Sequence, residues 1–411
     1  MASKNFKILS LDGGGVWSII QVNALIEMFG ENMTGHEVLR KFNLAVANSG
    51  GSIVLAGLLL NAKLKEVRAF FDDQSVRKDM FADISTFDGG LLFTLLRKML
   101  KGPRFLTDRK AAALADRFKN IGSINQIPSQ RLNDLAAAIH PHFQFLILAY
   151  DYKRDRAKYF RSNLVSRAAA RSAATGKVAP LLSDAVNASS TAPVLYFDRP
   201  ARSNDAGMAG DLFWDGGVTG QNNPVTAGVI EALANGADPK SVAVLSIGTA
   251  NTALPPELKP DKPWNLSDHT DIAVADLKKL ASAVLEDPPD HASFVSHMML
   301  GGSLPGVNDT LPYPVTPIVR LNPLLAPWPV SSGAYWNWPP GLVKDGQSKL
   351  LTLDMVVIDN DDFRKITDMC ADWIQGQVRN QPVRMGSQLQ SDIGHDTFAA
   401  ARQYWKTMTG M

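Results

Sequence analysis

The sequence predicts an α/β fold, with a mostly parallel sheet covered by helices. Three observations lead there. Short apolar, β-compatible runs recur along the first 250 residues. The first two end in glycine-rich turns that open at once into helix-spaced segments. Strand-like and helix-like stretches alternate rather than cluster, the pattern of a sheet with helices on both faces.

"FKILSL" (Phe6–Leu11) is the first strand, closed by Asp12 and the three glycines Gly13–Gly15. Ile19, Ile20, Ala24, Leu25 and Met28 then recur at helical spacing, and Gly30 marks a stop. "FNLAVANSGGSIVLAGLLL" (Phe42–Leu60) repeats the plan: apolar run, small-residue turn, apolar run. "HFQFLILAYDY" (142–152) and "SVAVLSIG" (241–248) read as further buried strands. Between them, "NNPVTAGVIEALANG" (222–236) reads as a helix with Asn at the cap, Pro224 near its first position and Gly236 past its end. The Pro- and Trp-rich stretch 305–341 reads as an irregular excursion, "LLTLDMVVID" (350–359) as a strand, and about 361–377 and 387–408 as helices. We therefore expect one α/β domain over 1–411. Its core motifs lie in 6–250, an insertion or cap-like region in 251–345, and a C-terminal strand and helices in 346–411.

Composition narrows the function classes. The 411 residues carry 42 basic and 40 acidic side chains, a formal net charge of +2, which gives no support for nucleic-acid binding. The single cysteine, Cys370, suits a reducing compartment, and a cytoplasmic location is expected. The N-terminus lacks the apolar run of a signal peptide, and no stretch is long and apolar enough to predict a membrane span.

Three short stretches carry chemistry. Ser49 sits between a strand-like and a helix-like run, with Ala47, Gly50 and Gly51 around it. A sharp strand-to-helix turn needs such small neighbours, and it lifts the serine above the sheet at a helix N-terminus. The pattern A-x-S-x-G departs by one methyl group from G-x-S-x-G, and Ser49 read alone is equally a helix cap. The "DGGGVWS" loop (Asp12–Ser18) has two functional readings. Gly13, Gly15 and Ser18 nearly match a dinucleotide-binding fingerprint, with Glu37 near the expected ribose acid. Alternatively, the amides of Gly13, Gly14 and Gly15 converge on a developing oxyanion. In "LFWDGGVTGQNNPV" (212–225), Asp215 ends an apolar run and is either an Asx-turn residue or a base.

Taken together, these stretches resemble the patatin-like phospholipases. That family carries, in the same order, a D-G-G-G-x-R-G loop, a G-x-S-x-G elbow and a D-G-G/A turn. "AVNASSTAPVLYF" (185–197) and "VLSIGTA" (244–250) also look like the family's surrounding text, so the likeness covers about 250 residues. The resemblance implies a three-layer α/β/α fold. It implies a Ser–Asp dyad without histidine: Ser49 as nucleophile, Asp215 as base, Gly13–Gly15 as oxyanion donors. No cofactor or metal is expected. This sequence departs from the family at Trp17, which replaces the loop arginine, at Ser18, which replaces its last glycine, and at Ala47. The downstream histidines His269, His291, His297 and His395 keep a Ser-His-Asp triad open, although none lies in a distinctive motif.

The implied substrate is membrane phospholipid. Leu92, Leu95, Leu96, Met99 and Leu100, with Arg97, Lys98 and Lys101, would fit an interfacial helix over 91–101 as well as a core-packed one. Trp328, Tyr335, Trp336 and Trp338 are aromatic candidates for the same interface or for a cap over the site. The sequence names no regulatory partner. A non-catalytic lipid-binding protein and a nucleotide-dependent oxidoreductase remain the rival classes.

Overall fold

The computed structural model describes residues 5–84, 103–122, 130–162, 179–203, 208–252, 289–325, 328–329, 336–337, 350, 353–385 and 391–411. The interfacial candidate 91–101 and His269 lie outside them.

The central sheet contains β1 (Phe6–Leu11), β2 (Leu44–Asn48), β3 (Gln144–Asp151), β4 (Arg156–Arg161), β5 (Ala201–Arg202), β6 (Leu212–Asp215), β7 (Val242–Ile247) and β9 (Ile318–Leu321). A short β8 (Asn251–Thr252) lies off this sheet. The order is β5-β6-β3-β2-β1-β7-β9, with β4 also on β3. The strands from β3 to β9 in that order run parallel. Strands β4, β5 and β6 add antiparallel pairings at one side.

Alternation along the strands builds two cores. Leu9, Leu11, Ala45, Ala47, Phe145, Ile147, Leu245 and Ile247 face a large cluster shared with α1 (Ile19–Phe29), α2 (Gly35–Leu39), α3 (Ser49–Leu59) and the C-terminal helices. Ile8, Leu44, Val46, Leu146, Leu148 and Val244 face the other way, onto Val225 and Val229 of helix Val225–Ala234. Period-two alternation with both faces buried is what makes these strands read as unbroken apolar runs. Helix α3 is buried along its whole length, which is why its sequence is apolar on every side.

Several sequence expectations change here. Residues 318–321, inside the stretch read as a cap-like insertion, form β9 and extend the core sheet beside β7. The apolar run 350–359 forms no strand among its described residues. Its carbonyls instead accept bonds from other parts of the chain: Met355 O from the Val16 amide (2.9 Å) and Asp354 O from Trp17 Nε1 (3.0 Å). A β-compatible run without a free sheet edge satisfies its backbone elsewhere. The last helix begins at Phe398 rather than 387, started by Thr397, whose side chain accepts from the Ala400 amide. Pro224 occupies the cap position of its helix, and the Asn223 side chain accepts from the Val225 amide (3.1 Å). Trp328–Pro329 pairs antiparallel with Trp336–Asn337.

Candidate active site

Strand β3 brings the two candidate reacting residues together. Strand β4 occupies one of its edges from Leu146 to Asp151. The other edge is shared: β2 pairs as far as Asn48 opposite Leu148, and β6 begins where β2 leaves, with Asp215 opposite Ala149. Asn48 and Asp215 therefore stand on consecutive positions of β3. Residues 167 apart in sequence meet because one strand turns off into a helix and an antiparallel strand takes over its edge.

Ser49 follows at that turn. Its φ is +50°, the left-handed region that non-glycine residues rarely occupy. The strain is held by neighbours: the Ser49 amide donates to Ser189 Oγ (2.9 Å), and the Ser52 hydroxyl to Ser49 O (2.6 Å). Gly50 and Gly51 are required by close approach. A Cβ on Gly50 would lie 2.5 Å from Gly15 O, and one on Gly51 would lie 2.5 Å from Leu11 O. Ala47 needs no such freedom. It is an ordinary buried strand residue opposite Leu11 and Ile147, so the elbow tolerates its methyl group.

The Ser49 side chain lies beside the Asp215 carboxylate and is one of the groups that lower its pKa. Asp215 Oδ1 accepts from the Gly217 amide (2.8 Å) and from Asn48 Nδ2 (3.3 Å). Asp215 is 3% exposed. Burial raises its pKa above the ordinary carboxylate value, against the lowering effects of Ser49, Gly217, Lys110 and Asn48. No histidine is among these groups. His297 has both ring nitrogens engaged, with Thr316 Oγ1 (3.0 Å) and Ser303 O (3.0 Å). His395 packs on Tyr404, and burial lowers its pKa to about 4. His291 is exposed.

The glycine loop lies against the elbow, held by partners the sequence did not reveal. Asp12 forms a buried two-point ion pair with Arg320 of β9, which also donates to Ser246 Oγ (2.7 Å). Thr249 Oγ1 donates to Gly13 O (2.7 Å). Trp17, where the family has arginine, is packed inward and bonded to Asp354 O. The three glycines do not behave alike. The Gly13 amide is spent on Asn222 O (2.9 Å), so it is not an available donor and this expectation is corrected. The amides of Gly14 and Gly15 have no acceptor among the described residues. Gly15 borders the same cleft as Ser49 and Gly50. The Gly50 amide, which directly follows the serine, was overlooked in the sequence although its position after the nucleophile was the available signal.

Protein packing requires glycine at positions 13 and 14. A Cβ on Gly13 would meet Asn222 Oδ1 at 2.1 Å, and one on Gly14 would meet Thr249 Oγ1 at 2.2 Å. Among the described residues no group of three or more His, Cys, Asp or Glu side chains is placed to hold a metal. No described helix is long and apolar enough to cross a membrane.

The cleft itself, narrow at about 20 Å³ and partly open to solvent, is walled by Ile53, Phe81, Ala192, Phe197, Met355 and Val356, with Ser49 and Lys110 on its lining. Lys110 had no local signal, because in "DRKAAALADRF" it reads as one more charge on an amphipathic helix.

A family model, described as patatin-like phospholipase, matches residues 9–229, more than half of the chain. No curated protein matches the sequence. Among solved structures, VipD from Legionella pneumophila is similar at 11% identity with a TM-score of 0.33, over 90% of this chain and 67% of that one. The family match takes in the glycine loop, the elbow and the Asp215 turn, and supports lipid acyl hydrolase activity in general. With a mixed α/β sheet flanked by helices and these motifs in order, the chain belongs to the patatin-like phospholipase family.

Proposed function

We propose that this protein is a phospholipase A- or lysophospholipase-type hydrolase, cleaving fatty-acyl esters of membrane phospholipids through a Ser49–Asp215 dyad. The observation that carries the reading is the Ser49 hydroxyl. It sits on a strained turn, beside a buried carboxylate, on the lining of a mostly apolar cleft.

Asp215 takes the Ser49 proton as Oγ attacks the ester carbonyl. The raised pKa of the carboxylate makes it a stronger base than an exposed aspartate. The amides of Gly14, Gly15 and Gly50 are the donors assigned to the oxyanion. Gly13 acts through its bond to Asn222 by fixing the loop. Collapse of the tetrahedral intermediate expels the alcohol, which takes the proton from Asp215, and leaves an acyl-serine. Asp215 then deprotonates water, whose attack releases the fatty acid and returns the proton to Ser49. A protein that merely bound lipid would have no need of a strained serine beside a buried base.

The test is labelling by a fluorophosphonate probe, with mapping of the modified residue. Label is expected on Ser49. Ser49→Ala, which removes one oxygen, should lose both label and ester hydrolysis while keeping its circular dichroism spectrum. Hydrolysis retained at more than about one part in a thousand, judged against the 10²–10⁴-fold worth of such groups, would overturn the reading.

A further inference from the structure

Lys110 lies on the first turn of helix Thr107–Asn120 and is 1% exposed. Its Nζ meets three acceptors at the end of helix Leu182–Ser189. They are Asn187 O at 3.2 Å, Ser190 Oγ at 3.1 Å and Thr191 Oγ1 at 2.6 Å. Both hydroxyl protons are already committed: Ser190 Oγ donates to Val186 O (2.7 Å) and Thr191 Oγ1 donates to Asn187 O (2.6 Å). The hydroxyl oxygens can therefore only accept from Nζ. Three acceptors need three N–H bonds, which an ammonium has and a neutral amine lacks. The remaining side of the ammonium faces the Phe197 ring, 4.3 Å from its centroid. A helix C-terminus is a favourable place for such a cation.

The turn that Lys110 grips also holds both members of the dyad. Ser189 Oγ accepts from the Ser49 amide (2.9 Å), and Thr191 O accepts from the Asp215 amide (2.8 Å). We propose that Lys110 is a positioning residue for hydrolysis: its buried ammonium clamps the 187–191 turn so that Ser49 and Asp215 are held in register. The inference rests on the Ser49–Asp215 reading above.

The charged surroundings are simple. Among the described residues, the groups acting on Asp215 are Ser49, the Gly217 amide, Lys110 and Asn48, and the one charge acting on Lys110 is Asp215. The other residues packed on Nζ offer a carbonyl, two hydroxyls and an aromatic ring. Burial lowers the Lys110 pKa well below that of a free lysine, and Asp215 opposes the fall. The sign for activity follows. Asp215 must be ionised to act as base, so the rate rises as pH climbs through its raised pKa. Lys110 must be protonated to clamp, so the rate falls as pH climbs through its lowered pKa.

The experiment is the pH profile of kcat/KM on a soluble p-nitrophenyl butyrate, for the parent protein, Lys110→Met, Lys110→Arg and Thr191→Val. Lys110→Met is expected to lose about 100-fold, the scale of an ångström-sized misplacement of reacting groups. Its acid limb should move to higher pH and its basic limb should vanish. Lys110→Arg keeps the charge and should keep the acid limb near the parent position. Thr191→Val deletes one acceptor but preserves the Thr191 carbonyl, so its basic limb should move to lower pH. A Lys110→Met protein with the parental limbs and a rate within about threefold overturns the proposal. If that variant does not fold, an unmoved basic limb in Thr191→Val overturns it instead. Ser49→Ala, run alongside, separates the two ideas: inactive Ser49→Ala with an unshifted Lys110→Met sinks the role of Lys110 alone, whereas active Ser49→Ala sinks the dyad beneath it.

Discussion

Asp215 has four polar partners and almost no solvent, so its two roles, structural and chemical, are separable by a single atom. Asp215→Asn keeps an oxygen to accept from the Gly217 amide but loses the capacity to take the Ser49 proton. It should lower kcat/KM by about 10²–10⁴-fold, the usual worth of a general base. Thermal unfolding should remain cooperative, because the Asx-type contact at the head of residues 216–219 survives. A steady-state assay beside a melting curve checks both statements, and near-parental activity would remove Asp215 from the reaction. The contacts of His297 and His395 are with Thr316, Ser303 and Tyr404 and not with Ser49 or Asp215.

Among the elements, the handover from β2 to β6 along β3 decides whether the residues meet. Gly216, one residue past Asp215, lies against it: a Cβ there would stand 2.4 Å from Asn48 Oδ1 and 2.9 Å from the Leu148 carbonyl carbon. Backbone at that distance cannot rotate away, so Gly216→Ala must shift β6 relative to β3. Overpacking of this kind costs about 1–3 kcal/mol. Displacing the carboxylate by even an ångström should lower activity by about 100-fold. Urea unfolding and kcat/KM measured together would test this, and unchanged activity would mean that the two strands are not held in the register described. The segment 353–358 acts similarly on the other wall. Met355 O and Asp354 O fasten the glycine loop, Ile358 O accepts from Arg77 Nη2 (3.3 Å), and Asp354 pairs with Arg104 (2.5 Å).

On the scale of the whole molecule, Asp12 and Arg320 join the first and last parallel strands' ends in a fully buried ion pair. Removing one partner leaves the other charged in a dry interior, which costs about 3–5 kcal/mol, whereas replacing both is often neutral. Arg320→Leu should therefore lower stability by that amount, and Asp12→Asn combined with Arg320→Met should recover much of it in urea titrations. Equal losses in the single and the double variant would show that the charge pair is not what holds the loop. We propose that the basic residues of 91–101 bring the cleft to anionic membranes. Reversing Arg97, Lys98 and Lys101 to Glu should weaken binding to phosphatidylserine vesicles by roughly 1 kcal/mol or more per residue, while hydrolysis of a soluble ester hardly changes. Equal losses on both substrates would assign that segment to the fold.

The local sequence determined the strands β1, β2, β3 and β7, the turns that follow the first two, and the candidacy of Ser49 and Asp215. Apolar period and small residues act over a few positions and are written where they act. It also misread particular places for a physical reason. Residues 350–359 have strand composition, but whether such a run pairs depends on an open sheet edge, and the chain uses it to cap the glycine loop instead. Residues 318–321 looked like part of an excursion because only the edge of β7 turns them into a core strand. Gly13 looked equivalent to Gly14 and Gly15 until Asn222, more than 200 residues away, occupied its amide. Nothing adjacent in the sequence marks Lys110 or Arg320 for burial. Their roles are set by acceptors from distant segments: the turn after Ser189 for one, Asp12 for the other. Tertiary structure alone decided these, because a buried charge is defined by the partners that surround it and not by its neighbours in the chain.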